Sequence, residues 1–366
     1  MNFLYTKPPY NIAWIFLFSI PFILDHINPA EAKVLQSFSQ IANQSIPGVV
    51  NIRTKNYVRK DPALDLYQFF LNGRVPQGGK TTSLGSGVII NREGLIVTNY
   101  HVIKDANKIE VLFAHKRQIT QATVMGIDRK TDLALLKVKP HGRLKPLSLG
   151  DSSRLSIGDV VLAIGNPFGY SHTVTSGIIS AKGRVIGTGP YDNFLQTDAT
   201  IHPGNSGGPL LDIRGRVIGI NTAVSAQGAG IGFAIPINIV KKVIKDLKVF
   251  GKVKRPWLGI VGKNVLSNED IDQSIDQTGI YGVIVSNLII DGPGHKGGMR
   301  IGDLIMAIGS HKVYDLNMLQ RLLMRRKPFD RVRIKLYRRT RGFVYVNLAL
   351  EEVPKSKDLP SDSDIF

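Results

Sequence analysis

Gly204-Asn205-Ser206-Gly207-Gly208-Pro209 is the stretch on which the reading of this chain turns. A serine hydroxyl is a poor nucleophile unless a neighbouring base removes its proton as it attacks. The tetrahedral oxyanion formed by that attack also needs donors fixed in advance, each worth about 10²–10³ in rate. Glycines on either side of Ser206 let the backbone curl until the amides of Gly204 and Ser206 point at one spot. By itself the hexapeptide also suits a turn that binds an anion or reverses the chain. A base and an acid elsewhere in the chain decide between these readings.

Among eight histidines, His101 stands out because it ends a strand pattern in Thr98-Asn99-Tyr100-His101-Val102. A base at a strand end is held by the sheet while its ring faces a cleft. His26, His115, His141, His172, His202, His295 and His311 lack such a setting, and His202, four residues before Ser206, reads as structural. The carboxylate that would fix the imidazole tautomer is best supplied by Asp132, which opens the apolar run Leu133-Ala134-Leu135-Leu136. Asp128 and Asp198 are rivals, each able instead to satisfy turn or backbone donors. The order His101, Asp132, Ser206 is that of chymotrypsin-like enzymes, not of α/β-hydrolases or subtilisins.

Outward from this constellation the chain reads as many short strands. Val88-Ile89-Ile90 and Leu95-Ile96-Val97 flank Asn91-Arg92-Glu93-Gly94, a hairpin signal. Short apolar runs recur at 109–113, 133–138, 160–164, 178–179 and 217–220, with glycine-rich turns between them. This pattern predicts a barrel or sandwich. Residues 57–82 form a long insertion. A helix is expected over 33–45, with Val34, Leu35, Phe38, Ile41 and Ala42 on one stripe before Pro47-Gly48. Pro236 opens another, with Val240, Val243, Ile244 and Leu247 on one face and Lys241, Lys242, Lys245 and Lys248 opposite. Residues 251–255 read as a basic linker to a mixed module, with strands near 258–261, 282–285, 303–308, 331–337 and 343–350 and a helix near 316–324.

The 366 residues suit two domains plus extras. With 47 Lys and Arg against 28 Asp and Glu, the net charge of +19 favours polyanions or anionic membrane surfaces. There is no cysteine, which excludes disulfides, thiolate nucleophiles, iron–sulfur clusters and Cys-ligated zinc. Lys7 precedes an apolar run over 12–24, too short for a hydrocarbon core that needs about 20 helical residues. With the triplet Ala30-Glu31-Ala32, this describes a secretory signal peptide over 1–32, cleaved after Ala32. An uncleaved N-terminal membrane anchor is the alternative. Export without cysteines fits a bacterial envelope.

Taken together, the stretches 98–103, 131–137, 165–169, 173–180, 196–211 and 230–236 resemble the HtrA/Deg family of envelope serine proteases in wording and spacing. The resemblance implies an all-β chymotrypsin-like double β-barrel protease domain followed by a smaller mixed α/β PDZ domain. It also implies no cofactor and no metal, cleavage of misfolded or unfolded proteins without ATP, and a homotrimer or multiples of trimers. It carries over His101 as base, Asp132 as its orienter and Ser206 as nucleophile, with the Gly204 and Ser206 amides as oxyanion hole. The expected domains are 33–250 for the protease, 251–352 for the PDZ module and 353–366 for a disordered tail. Two departures stand out. His202 takes a place where the family usually has Asn, and only one PDZ-sized segment follows the protease. The single segment resembles the often membrane-tethered stress-sensor branch, whereas Tyr67-Gln68-Phe69-Phe70 resembles the regulatory loop of the soluble two-PDZ branch.

Thr200, six residues before Ser206, takes the place at the base of the primary pocket where an acid would select Lys or Arg. With Ile231 and Phe233 it suggests a modest apolar pocket and cleavage after Val, Ala or Ile. Trp257-Leu258-Gly259-Ile260 resembles a PDZ carboxylate-binding loop, which holds free C-terminal peptides beside a groove for strand addition. Gly302-Asp303-Leu304-Ile305 and the helix near 316–324 complete that resemblance.

Ten Lys or Arg lie between positions 321 and 341. Val332, Ile334 and Leu336 alternate with Arg331, Arg333 and Lys335, as in a strand with one solvated face. Nucleic-acid binding is disfavoured because no aromatic stacking set is interleaved, though Tyr337 and Phe343 lie nearby, and attraction to an anionic envelope surface lies between the two readings. The whole describes an exported, periplasmic serine endopeptidase of protein quality control, soluble after signal cleavage or tethered to the inner membrane. The alternative is a non-enzymatic chaperone or stress sensor that uses only the PDZ groove.

Overall fold

The hairpin around Asn91 forms as its sequence predicts: Val88 pairs with Val97 and Ile89 with Ile96. The Asn91 side chain closes the turn by accepting the Leu95 amide at 2.8 Å. Gly94 is required there, because its φ is +88° and a Cβ would stand 2.4 Å from the Val138 carbonyl oxygen. The computed structural model describes residues 37–56, 81–114, 119–140, 142–166, 172–186, 192–202, 204–224, 230–265 and 281–354. The signal segment, the Tyr67–Phe70 string and the tail from 355 onward lie outside the described residues. Among the described residues, no helix is long and apolar enough to cross a membrane.

Six strands close a first antiparallel barrel: β1 (Val49–Asn56), β2 (Thr81–Ile89), β3 (Leu95–Asn99), β4 (Lys108–Phe113), β5 (Ile119–Asp128) and β6 (Leu133–Val138). Six more close a second: β7 (Val160–Gly165), β8 (Thr173–Arg184), β9 (Phe194–Thr197), β10 (Pro209–Asp212), β11 (Val217–Val224) and β12 (Gly232–Pro236). The strand orders are β1-β2-β3-β6-β5-β4 and β10-β11-β12-β9-β8-β7. This is the chymotrypsin-like double barrel.

The continuous apolar runs, rather than clean alternation, have a packing cause. One face of β3 and β6 fills the first barrel, through Ile96, Ala134 and Leu136. The other face, through Leu95, Val97, Leu133 and Leu135, meets Leu162, Ile164, Leu211 and Ile220 of the second barrel. Strands buried on both sides lose the polar alternation of a half-exposed sheet. At about 25 cal/mol per Å² of apolar surface, this shared core holds the barrels together.

The helix Ile237–Phe250 buries Val240, Val243 and Leu247 on that same core, and Gly251 ends it at φ +69°. The segment expected to be a free linker is tied down instead. A Cβ on Gly126 would meet the Gly251 carbonyl oxygen at 2.5 Å, so the helix end lies directly on β5. Arg255 then grips Asp128 with two bonds of 2.8 and 2.5 Å, both side chains being largely buried. Removing one partner of such a pair strands a charge, typically at about 3–5 kcal/mol.

The C-terminal module follows through β13 (Pro256–Trp257), β14 (Ile260–Asn264), β15 (Val283–Leu288), β16 (Leu304–Ile308), β17 (His311–Lys312), β18 (Arg331–Arg338), β19 (Gly342–Ala349) and β20 (Glu351–Glu352). Its sheet order is β14-β15-β16-β18-β19, with β14 and β19 at the edges. The helix Leu316–Met324 occupies the predicted place and packs against β14. Asp315 caps it by accepting the Met318 amide at 2.6 Å. One of the ten basic residues turns inward: Arg338 forks onto Asp303 at 2.7 Å, and that carboxylate raises the guanidinium's hold on its proton.

Candidate active site

The first barrel brings His101 and Asp132 together across 31 residues of chain, with His101 Nδ1 2.7 Å from Asp132 Oδ2. His101 does not end a strand as the sequence suggests. β3 stops at Asn99, and His101 lies in the single helical turn Tyr100–Ile103 that follows. The turn is zipped to Asp132 through its backbone: the Tyr100 amide and the Asn99 Nδ2 each donate to the Asp132 carbonyl at 3.0 Å. The His101 amide donates to Asp132 Oδ1 at 2.9 Å. Asp132 itself is left-handed, φ +53° and ψ +43°, a conformation that Asp tolerates better than most residues. These bonds hold the strain in place.

The rival carboxylates are engaged elsewhere. Asp128 is bound to Arg255 and to the Thr131 hydroxyl, and Asp198 accepts the Ile178 amide at 2.6 Å.

From the second barrel come Ser206 and a residue that sequence reasoning missed, Thr222 on β11. Its hydroxyl donates to Asp132 Oδ2 at 2.7 Å, so this oxygen accepts from both Thr222 and His101. An ionised carboxylate accepts only, so the imidazole proton belongs on Nδ1 and the Nε2 lone pair stays free. The Thr222 carbonyl accepts the Ser206 hydroxyl at 3.1 Å. The serine hydroxyl therefore points at β11 and not at His101.

The loop around Ser206 is pinned from the first barrel by Ser86, a second residue that sequence reasoning passed over. Ser86 is fully buried on β2. Its hydroxyl donates to the Gly204 carbonyl at 2.6 Å and accepts the Asn166 amide at 2.8 Å. Its amide donates to the Ser206 carbonyl at 2.8 Å. Thr98 anchors Ser86 in turn, donating to its carbonyl at 2.7 Å. Within the loop, the amides of Asn205, Gly207 and Gly208 reach the carbonyls of His202, Asn221 and Asn205 at 2.8–2.9 Å. The amides of Gly204 and Ser206 have no intramolecular acceptor among the described residues. Gly204 lies at φ +104°, and Gly207 at φ +82°, where a Cβ would strike the Ser86 carbonyl oxygen at 2.1 Å.

Of the expected pocket residues, Thr200 is exposed and Ile231 half-buried, but Phe233 is in the core. The Phe233 ring meets Phe194 edge-on at 6.2 Å between centroids. His202 is exposed beside the loop. Among the described residues, no cluster of His, Asp and Glu could hold a metal.

In the C-terminal module Leu258 and Ile260 are fully buried, and Gly259 takes φ +72° with a Cβ position 3.1 Å from Gly292 and Pro293. The unpaired edge of β14 runs from this turn beside the helix Leu316–Met324. Trp257 is buried, with its indole N–H lacking a partner among the described residues.

Comparison with known proteins agrees with this architecture. Residues 85–220 match the trypsin-like peptidase domain family and residues 256–343 the PDZ domain family. A probable periplasmic serine endoprotease, DegP-like, from Pseudomonas putida is 36% identical over 350 residues, covering 89% of this chain and 72% of that protein. A protein of the same description from Rickettsia conorii is 42% identical over 339 residues, covering 85% and 66%. The solved HtrA-type protease AlgW with decapeptide superposes at TM-score 0.72 with 34% identity, covering 87% of this chain and all of that one. The serine endoprotease from Yersinia pestis does so at 0.66 with 33% identity, covering 88% of this chain and all of that one. A trypsin-like double barrel carrying a PDZ module, matched along most of its length by such relatives, belongs to the HtrA/DegP-like family of serine endoproteases.

Proposed function

We propose that Ser206 is the nucleophile of this endoprotease, His101 its general base and Asp132 the group that orients the base. The 2.7 Å contact between His101 Nδ1 and Asp132 Oδ2, beside the Ser206 loop, carries this reading. Rotation about the serine Cα–Cβ bond exchanges the Thr222 carbonyl for His101 Nε2. The serine oxygen then attacks the scissile carbonyl as its proton passes to Nε2, and Asp132 stabilises the imidazolium. The free Gly204 and Ser206 amides serve the developing oxyanion. His101 returns the proton to the leaving amine, and water repeats the sequence on the acyl-enzyme. Labelling with an organofluorophosphonate, located by mass spectrometry, is expected on Ser206 and absent from Ser206→Ala. A wild type that stays unlabelled at every temperature and with every C-terminal peptide tried would favour the binding-only alternative.

The substrates are misfolded or unfolded proteins of the bacterial periplasm, reached after export by the 1–32 segment, either cleaved or retained as a tether. The PDZ module, through the Leu258–Ile260 turn and the edge of β14, captures C-terminal peptides for delivery or regulation. The working unit is a trimer or a multiple of it, and no cofactor takes part. With Thr200 rather than an acid at the pocket base, cleavage is expected after Val, Ala or Ile. Mass-spectrometric profiling of digested β-casein checks this, and a preponderance of Lys or Arg before the cut would refute it.

A further inference from the structure

The outer face of the β18–β19 hairpin is the most unusual surface in the molecule. Strand alternation puts Arg331, Arg333, Lys335 and Tyr337 of β18 on one side, opposite Ala349, Asn347, Tyr345 and Phe343 of β19. Phe343 and Tyr345 are 56% and 52% exposed. The Arg333 guanidinium lies 4.2 Å from the Tyr345 ring centre and the Lys335 ammonium 4.4 Å from that of Phe343. Tyr337 meets Phe343 edge-on at 5.6 Å. The cations and aromatics are therefore interleaved across the strands. None of these eight residues is acidic, and the exposed turn beyond them adds Arg339 and Arg341.

Cross-strand ring and cation–π pairs steady the hairpin by themselves, but the Phe343 and Tyr345 rings, each more than half exposed, also leave apolar area open to a partner. Rings with a dry body and a wet rim, set among long cationic side chains, suit a surface that is apolar below and anionic above. Single-stranded nucleic acid calls on similar residues, but its bases need open ring faces on which to stack. Here one face of both Phe343 and Tyr345 is already covered by the chain's own cation. We infer that the β18–β19 face docks the PDZ module onto anionic phospholipid, the rings entering the headgroup layer and Arg331, Arg333 and Lys335 meeting its phosphates. The inference rests on the envelope location proposed above only for the choice of partner. It is independent of the protease mechanism.

The test is co-sedimentation of the full chain with phosphatidylcholine vesicles, with or without 30 mol% (roughly a physiological share) phosphatidylglycerol. Any insertion of the apolar 12–24 segment is common to both vesicle types, so the readout is the ratio of anionic to neutral partitioning. That ratio is expected to exceed about 10² at low salt and to fall steeply as salt rises, each cation contributing about fivefold. Arg331→Gln, Arg333→Gln and Lys335→Gln combined should lower it about 10²-fold, and Phe343→Ser with Tyr345→Ser about tenfold. Both variants keep the inward residues of the hairpin and should digest casein at the wild-type rate. A ratio changed less than twofold by either variant overturns the inference. So does tighter binding of a single-stranded oligonucleotide that the same substitutions abolish, which would assign the face to nucleic acid. Loss of lipid binding with intact proteolysis, or the reverse, separates this inference from the protease reading.

Discussion

Asp132→Asn is expected to lower kcat/KM on a peptide substrate by about 10⁴ near neutral pH while leaving the barrels folded. Asp132 Oδ2 accepts from His101 Nδ1 and from the Thr222 hydroxyl at once. An asparagine has one acceptor oxygen and cannot serve these two donors and the His101 amide together. If its amide nitrogen faces the imidazole, Nδ1 must become the acceptor and the proton moves to Nε2, where no serine proton can then be taken. If the amide is turned over, its nitrogen faces the His101 amide instead, and two donors collide. The backbone is indifferent to the exchange, because Asn tolerates the left-handed conformation at φ +53° as well as Asp does. The check is the pH dependence of kcat/KM together with a thermal melt. A loss below tenfold with the melt unchanged would remove Asp132 from the site and reopen the choice of orienter.

Ser86→Ala is expected to lower kcat by about 10², with little change in KM. The Ser206 amide belongs to the peptide between Asn205 and Ser206, and Ser86 pins the peptide on each side of it. Its hydroxyl holds the Gly204 carbonyl at 2.6 Å and its amide holds the Ser206 carbonyl at 2.8 Å. Without the hydroxyl, the Gly204 carbonyl and the Asn166 amide lose their buried partner, a penalty of about 1–3 kcal/mol for such a group. The Gly204–Asn205 peptide is then held only by the bond from the Asn205 amide to the His202 carbonyl, and the Gly204 and Ser206 amides, proposed as oxyanion donors, lose part of their fixed aim. A purely structural role predicts something different: fewer active molecules, each turning over normally. Active-site titration separates the two. Full titration with kcat reduced supports the positioning role, and Ser86→Cys, which keeps a weak donor, should fall between. Normal turnover per titrated site would sink it.

Much of the architecture was legible because it is encoded locally. The 91–94 hairpin, the 133–138 strand and the 316–324 helix are written in turn residues, apolar runs and 3.6-residue spacing. Residue type and setting single out His101 in the sequence, but the strand end expected there is a helical turn, since one turn of helix leaves too short a period to read. The burial of Phe233 is hidden from the sequence for a related reason. A strand buried on both faces gives no sign of which face holds the core and which the cleft. Arg255, in a run that composition marks as solvated, found a buried carboxylate 127 residues away. Phe343 lies near the cations of β18 along the chain, but only the register sets it and Tyr345 directly beside Lys335 and Arg333.

The amino-acid sequence alone determined the chemistry available, namely a serine among glycines, an apolar-flanked acid, a histidine and a PDZ-like turn. Their neighbours in the chain mark them out. The tertiary structure decided which of them work together and who holds them there. Thr222 reaches Asp132 over 90 residues and Ser86 reaches Gly204 over 118. Each does so with a single hydroxyl on an unremarkable strand. A hydroxyl leaves no periodic trace in sequence, and its partner is a carbonyl or carboxylate whose direction exists only once the barrels have closed.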